Sequence, residues 1–473
     1  MSRAASRVGG RARRRIDVTV ILAVALPLLL GLALALTRPH AARTVPAAAS
    51  EAPLTSASVV CPGSIDDTTA ASTLTIGSAA GGGATGSATV RTGTSSRTVD
   101  LRDGRSSDSA GSSAPTVVTG TGAVAPGLLA ALASASPLTA WDCTVPVGDQ
   151  WFTGVGAGPT QASVVELVNP NTGLAVVDID VLSDEGLLDV PQLRGVSVPA
   201  GEDTRLDLGE LVPRTGVMAL HVSVVRGQLG VAVRDRGERL VGGVSTEDWL
   251  APQPSPSRRS LMLGLQPGSG RHTLTIANDG DSQVAADLKL VTADSTFAPD
   301  GLDPIQVPPH SVVETVLDDT LAGSVATGAV GLEVEADGPV TTSLRSVVHG
   351  DLSFLVPGEP VAGDTTLLVP GGGQDGEKTS ARLLLGGASA VGVATVTARD
   401  ARGATLLTER ISLGPDKAPS LDLPSGATSV EVVPSRTSVQ GAILVTGPDA
   451  GSAVVRLREL ERTGSVPHIS FGP

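Results

Sequence analysis

Tyrosine is absent from this 473-residue chain, and the other large aromatics are scarce, with three tryptophans and four phenylalanines. A core built without them must be filled by Leu, Val and Ala. That suits thin β-sheet cores and leaves few of the large anchors that dominate binding hot spots. Lysine is nearly missing as well: only Lys289, Lys378 and Lys417 occur. The six histidines (His40, His221, His272, His310, His349 and His468) fall in no His-Glu-x-x-His or comparable ligand spacing, so no metal centre is expected. Basic charge is concentrated in one place. The first 17 residues hold six arginines against one aspartate, so the rest of the chain is more acidic than the overall net charge of −14. An acidic body is repelled by a phosphate backbone, which excludes nucleic acid as a partner.

Only two cysteines occur, Cys61 and Cys143, both C-terminal to the long apolar run. An even count in an oxidising compartment favours a disulfide between them; two free buried thiols is the alternative. The bridge would close 82 residues and, in the chain-entropy model, contribute at most on the order of 4–5 kcal/mol. Two cysteines with no histidine nearby do not make a zinc site.

What is present begins with VTVILAVALPLLLGLALAL at 18–36, nineteen uncharged residues. As a helix it would measure roughly 28 Å, close to the ~30 Å hydrocarbon core of a bilayer. The arginines precede it, so residues 1–17 are expected to stay cytoplasmic as a basic tail and the bulk to lie outside. A cleaved signal peptide is the alternative, and it also places the remainder outside. Residues 37–57 read as a Pro/Ala-rich stalk. Residues 58–145 read as a loopy N-terminal β module closed by the cysteine pair, with Gly77–Gly86 and Gly104–Ser113 as flexible loops and Gly127–Ala135 as a short helix.

From about Val145 a pattern repeats. Asn169 and Asn278, Asp178 and Asp287, and the pairs Val198-Pro199 and Val307-Pro308 are each separated by 109 residues. A weaker third copy places Gly386 where Asn278 stands, 108 residues on. Apolar residues alternate within each copy, as in Val177, Ile179 and Val181, and Asn/Gly/Pro turns break the pattern every 8–12 residues. The expected fold is mainly β: a single N-terminal transmembrane helix followed by tandem immunoglobulin-like β-sandwich domains. Repeat 1 is expected at 146–250, a Pro-rich linker at 251–259, repeat 2 at 260–362 and repeat 3 at 363–473. A propeller would need more and shorter copies.

The Arg-rich anchor, the Val-Val-Cys-Pro opening at Val59–Pro62, the strands Glu166-LVNP and Thr275-IAND, and the Val-Pro-Ala-Gly turn at Val198–Gly201 together resemble an uncharacterised actinobacterial family of membrane-anchored exported proteins, domain-of-unknown-function family 5719. The resemblance covers nearly the whole chain. It implies location and architecture and transfers no catalytic residue.

The motifs that could carry chemistry are incomplete. Gly371–Ser380 imitates a phosphate loop, but Glu377 separates Gly376 from Lys378 and breaks the required junction. Gly243-Val244-Ser245-Thr246 is followed by Glu247 where a nucleophile elbow needs glycine. Asp178 and Asp180 share a strand face about 6.5–7 Å apart; a solvated face is the simpler reading than an acid/base pair. His221 alternates with Leu220 and Val222 and should face away from them. Asn278–Asp281 and Ser183–Gly186 read as hairpin turns, with weak calcium binding as the alternative. Trp141, Trp151 and Phe152 lie close to Cys143 in sequence. They read as packing around the bridge or, alternatively, as a glycan-stacking platform.

No catalytic residue, cofactor or metal is therefore expected. The expected function is a non-enzymatic, membrane-anchored, extracytoplasmic structural or protein-interaction role in the bacterial cell envelope. Its partners would be the membrane and another envelope protein, or cell-wall glycan if it is an accessory module of wall assembly.

Overall fold

A computed structural model describes residues 18–36, 50–63, 72–79, 85–101, 105–110, 114–135, 138–237, 246–253, 255–266, 270–326, 328–371, 379–447 and 451–466. The chain is mainly β and divides into two compact units, Met1–Ala52 with Ser465–Pro473, and Pro53–Gly464.

In the smaller unit Val18–Leu36 forms one α-helix of 19 residues with Pro27 inside it. Its described side chains are nearly all exposed. Counting only described side chains, no helix makes an apolar run long enough to cross a membrane.

The larger unit contains four β modules, each built from two sheets around a shared core. In the first, Ser56–Cys61, Thr116–Thr121, Gly86–Thr92 and Ser95–Leu101 form one sheet. Arg105–Ala110, Ser72–Ser78, Leu128–Ala135 and Leu138–Asp142 form the other. Val59, Val90 and Val118 from one side meet Leu74, Ile76 and Leu128 from the other. This module is more regular than its composition suggests. The expected loop at 104–113 contains the strand Arg105–Ala110, paired with Ser72–Gly77. The expected helix at 127–135 is the strand Leu128–Ala135. That strand reads as helix because it is apolar on both faces: Leu128 and Ala130 enter the module core, whereas Leu129 and Ala131 pack against Leu368 and Leu460. Burial on both sides erases the alternation that marks a half-buried strand.

In the second module Asp149–Gly158 runs along Val217–Ser223 and then, past Gly154, pairs with Gln161–Ala162 of the opposite sheet. Gly154 sits at φ +92°, and a Cβ there would lie 2.5 Å from Ser343 Oγ, so only glycine fits this corner. In the third module a single 20-residue strand, Ala329–Val348, serves both sheets. Its first half pairs with Val284–Thr292 and its second half with Gly270–Asn278. The fourth module sets Thr365–Leu368, Ser429–Ser435, Gly392–Arg399 and Thr405–Leu413 against Ser420–Asp422, Ser380–Gly386, Gln440–Thr446 and Ser452–Arg456, with Leu383, Val396, Val432 and Ile443 in the core between them.

The 109-residue period is visible in atomic detail. Asn169 and Asn278 are both fully buried. Each Nδ2 donates to the carbonyl four residues on, Gly173 or Ser282, at 2.8 Å. Each also donates to the carbonyl of the Val-Pro turn, Val198 at 3.0 Å or Val307 at 3.2 Å. Each Oδ1 accepts the N–H two residues on, from Asn171 or Gly280. One amide thus fastens a turn to the next strand in both copies.

Tandem in sequence does not mean extended in space. Glu166 accepts the Gly63 N–H at 2.9 Å, and Arg91 donates to the Gly201 carbonyl, joining modules one and two. Thr153 meets Thr341 at 2.6 Å, Arg345 pairs with Asp235 at 3.0 Å, and Gln253 Oε1 accepts the Thr342 N–H at 3.1 Å, joining two and three. Asp351 accepts the Ser452 N–H at 2.8 Å, joining three and four. Arg458 pairs with Asp142, returning from four to one. The contacts close a ring, and Leu54 N–H donates to the Arg462 carbonyl at 3.0 Å, so the unit starts and ends side by side. The segment expected as a linker at 251–259 is part of this fabric: Trp151 and Gln253 exchange two backbone hydrogen bonds of 2.8 Å, and Ser257–Leu263 is a strand.

Candidate functional site

Ring closure leaves a cavity of about 280 Å³ where all four modules meet. The first contributes Trp141 and Asp142 at the end of Leu138–Asp142. The second contributes Asp248, Trp249 and Gln253, at and just beyond the strand Thr246–Leu250. The third contributes Phe354 and Glu359, and the fourth Arg456, Arg458 and Glu459.

One wall is aromatic. Trp141 and Trp249 meet edge to face, with ring centroids 6.0 Å apart. The opposite character comes from charge. Arg458 binds the Asp142 carboxylate and the Cys143 carbonyl, the latter at 3.1 Å. Among the described residues Arg456 has no carboxylate ligand; it donates instead to two carbonyls, Pro357 at 2.6 Å and Pro252 at 2.8 Å. It keeps some accessible surface along the cavity, yet the protein packed around it lowers its pKa to about 10 by desolvation, with Asp142 and Glu359 opposing.

Asp248 is the most unusual group. It is 7% exposed. Burial pushes its pKa well above the usual carboxylate range; the Trp249 and Phe354 N–H groups offset this in part, while Asp351 and Asp235 push the same way. Among the described residues it has no cationic partner. Nearby, burial raises Asp351 to about 6 against the opposing Ser452 N–H. Among the described residues the cavity lining includes no histidine, serine or free thiol.

Cys61 and Cys143 are bridged, with Cα atoms 4.4 Å apart. Beside the bridge, Val60 and Thr144 exchange backbone hydrogen bonds of 2.8 and 3.0 Å. The three aromatics considered together in the sequence are not together in space. Trp141 packs in the first module's core. Phe152 is fully buried in the second. Trp151 lies between modules two and three with Leu182, Ala277 and Val312, its ring stacked on His221 at 4.1 Å. Lying in three separate clusters, they form no shared stacking platform. Sequence adjacency misled here because Trp151 and Phe152, neighbours on a strand, point to opposite faces. The true partner of Trp141 is Trp249, more than a hundred residues away. Its rarity, as one of three tryptophans, was the available signal.

The remaining candidates lie outside the cavity. His221 does face away from Leu220 and Val222; its Nε2 is 2.9 Å from Asp149 Oδ2 and its Nδ1 3.9 Å from Asp180. Asp180 also pairs with Arg194 at 2.5 Å, and Asp178 accepts the Gly195 N–H at 2.6 Å, so both carboxylates are engaged on the strand face. Asn278–Asp281 is a turn whose Asp281 meets His310 at 2.9 Å. Ser183 caps its own turn by donating to the Gly186 carbonyl at 2.9 Å. Among the described residues no cluster of three or more His, Cys, Asp or Glu could hold a metal. Residues 243–245 and 372–378, which carry the elbow-like and phosphate-loop-like sequences, lie outside the described residues.

The signature of a family described as "Family of unknown function (DUF5719)" matches residues 104–424, more than half of the chain. The chain belongs to this DUF5719 family. No curated protein matches it. The DUF5719 match runs from the strand Arg105–Ala110 to just past Ser420–Asp422 in the fourth module, so Gly63 and Arg91 precede it and Ser452 and Arg458 follow it. It includes the cavity residues of the first three modules, and the cavity residues 454–461 lie beyond its end.

Proposed function

We infer that this DUF5719 protein is a non-enzymatic scaffold of the bacterial cell envelope, anchored by the helix Val18–Leu36 with its tail inside and its bulk outside. Its four modules act as one interlocked, immunoglobulin-like body that presents strand edges and sheet faces to another envelope protein. The observation that carries this reading is the ring of inter-module contacts described above. It ties each of the four modules to its neighbours. The uncharged helix, the arginines before it and the Cys61–Cys143 bridge support an extracytoplasmic location. An actinobacterial source fits the Arg, Ala and Gly bias. A glycan-binding accessory role resting on these aromatics has less support, because Trp141, Trp151 and Phe152 lie apart and form no shared platform.

The test combines topology with contact. The full chain should remain with membranes after an alkaline wash, and protease added outside should digest it from Pro53 onward. Deleting 18–36 should release it. Crosslinking in intact cells should give reproducible links from sheet-edge positions to a single envelope protein. Recovery of the full chain in the soluble fraction, or links scattered over unrelated proteins, would refute the proposal.

A further inference from the structure

The junction cavity has the make-up of a ligand site, and nothing in the scaffold role requires it. At about 280 Å³ it lies just below the usual range of ligand pockets, roughly 300–1,000 Å³, so an occupant must be small. Its lining carries six carboxyl groups (Asp142, Asp149, Asp248, Glu359, Glu459 and Glu461) against two guanidinium groups. Both arginines are already engaged, Arg458 with Asp142 and Arg456 with two carbonyls. The excess is negative, and its most buried member, Asp248, has no countercharge among the described residues. A second lining residue is also incomplete. Gln253 is 3% exposed and uses Oε1 to accept the Thr342 N–H, while its Nε2 has no partner among the described residues. A buried donor left unmade costs about 1–3 kcal/mol. Trp141, Trp249 and Phe354 supply apolar wall alongside these groups.

We propose that this cavity binds a small organic ammonium compound bearing hydroxyl or carbonyl oxygens, of the amino-alcohol or amino-sugar class. Its cationic head pairs with Asp248, its oxygen accepts from Gln253, and its carbon frame lies against the tryptophan wall. The countercharge supplied to Asp248 would favour its ionised form, which burial alone disfavours.

The test uses the full-length chain in a non-ionic detergent, with tryptophan emission as the readout, since two of the three tryptophans line the cavity. Choline is titrated against its uncharged isostere 3,3-dimethylbutan-1-ol, and glucosamine against glucose. At least one ammonium compound should give a saturable change that its neutral counterpart does not. Asp248→Asn should weaken that binding at least about tenfold, the loss expected for a charge-assisted contact. Asp178→Asn, outside the cavity, should leave it unchanged. Should Asp248→Asn fail to fold, Glu359→Gln at the exposed rim takes its place, and a two- to threefold loss is expected of it. Equal responses to charged and neutral members, no saturation by 10 mM, or unchanged affinity in a folded cavity variant would overturn the proposal.

Discussion

Removing Asp235 tests whether the four modules melt as one body. Asp235 is fully buried and accepts from Ser163 Oγ at 2.6 Å, Gln161 Nε2 at 2.9 Å and Arg345 Nε at 3.0 Å. Arg345 is only 14% exposed and also lies 6.0 Å over the Phe354 ring. Asp235→Ala strands that guanidinium at the boundary of modules two and three. Breaking a buried pair this way costs roughly 3–5 kcal/mol. The resulting shift in melting temperature depends on how much of the chain unfolds together, because unfolding entropy grows at about 2.1 cal/mol/K per residue. If all 412 residues of Pro53–Gly464 melt together, ~4 kcal/mol lowers Tm by only about 5 °C. If the second module melts alone as about 105 residues, the same loss lowers its transition by about 18 °C. Differential scanning calorimetry separates the two outcomes. One endotherm moving by a few degrees is expected; a separate low-temperature transition displaced by 15 °C or more would refute the interlocked ring. The double variant Asp235→Leu/Arg345→Met should recover much of the loss, since it removes both charges.

Three further outcomes are expected. Reducing the Cys61–Cys143 bridge, or replacing both cysteines by serine, should lower stability by up to about 4–5 kcal/mol, read as a shift in urea midpoint with and without reductant. Asn169→Ala and Asn278→Ala should each cost about 2–4 kcal/mol, from the four hydrogen bonds each amide makes, and the two losses should agree within about 1 kcal/mol because three of the four partners correspond. Asp351, held near pKa 6 in the folded chain, binds its proton more tightly folded than unfolded. Stability should therefore fall as pH rises from about 4 to 6 and level off above that. Asp351→Asn should flatten this slope in pH-dependent melting curves.

The repeats were legible in the sequence because Asn169 and Asn278 each fix a turn that no apolar residue could hold, and because Val177, Ile179 and Val181 alternate on a strand with one buried face. The disulfide was legible because two cysteines in one compartment had no other partner. The ring was not. Its contacts use residues that look ordinary one at a time, such as Thr153, Thr341 and Ser452, and strands such as Leu128–Ala135 whose second buried face hides the period. The cavity shared that fate: it is assembled from segments starting near Ala140, Asp248, Phe354 and Val454, and no spacing along the chain brings these together.

The closure between the first and fourth modules bears on how the protein is made. Leu129 and Ala131 are covered by Leu368 and Leu460, which leave the ribosome more than two hundred residues later. At about 5–20 residues per second of synthesis, the 329 residues from Ala131 to Leu460 take roughly 15–65 s. Through that interval the first module carries an uncovered apolar face beside an open sheet edge, the kind of surface that misassembles with a neighbouring copy. Final docking is thus a late, long-range step, and yield during expression should depend on holding nascent chains apart until the last module arrives.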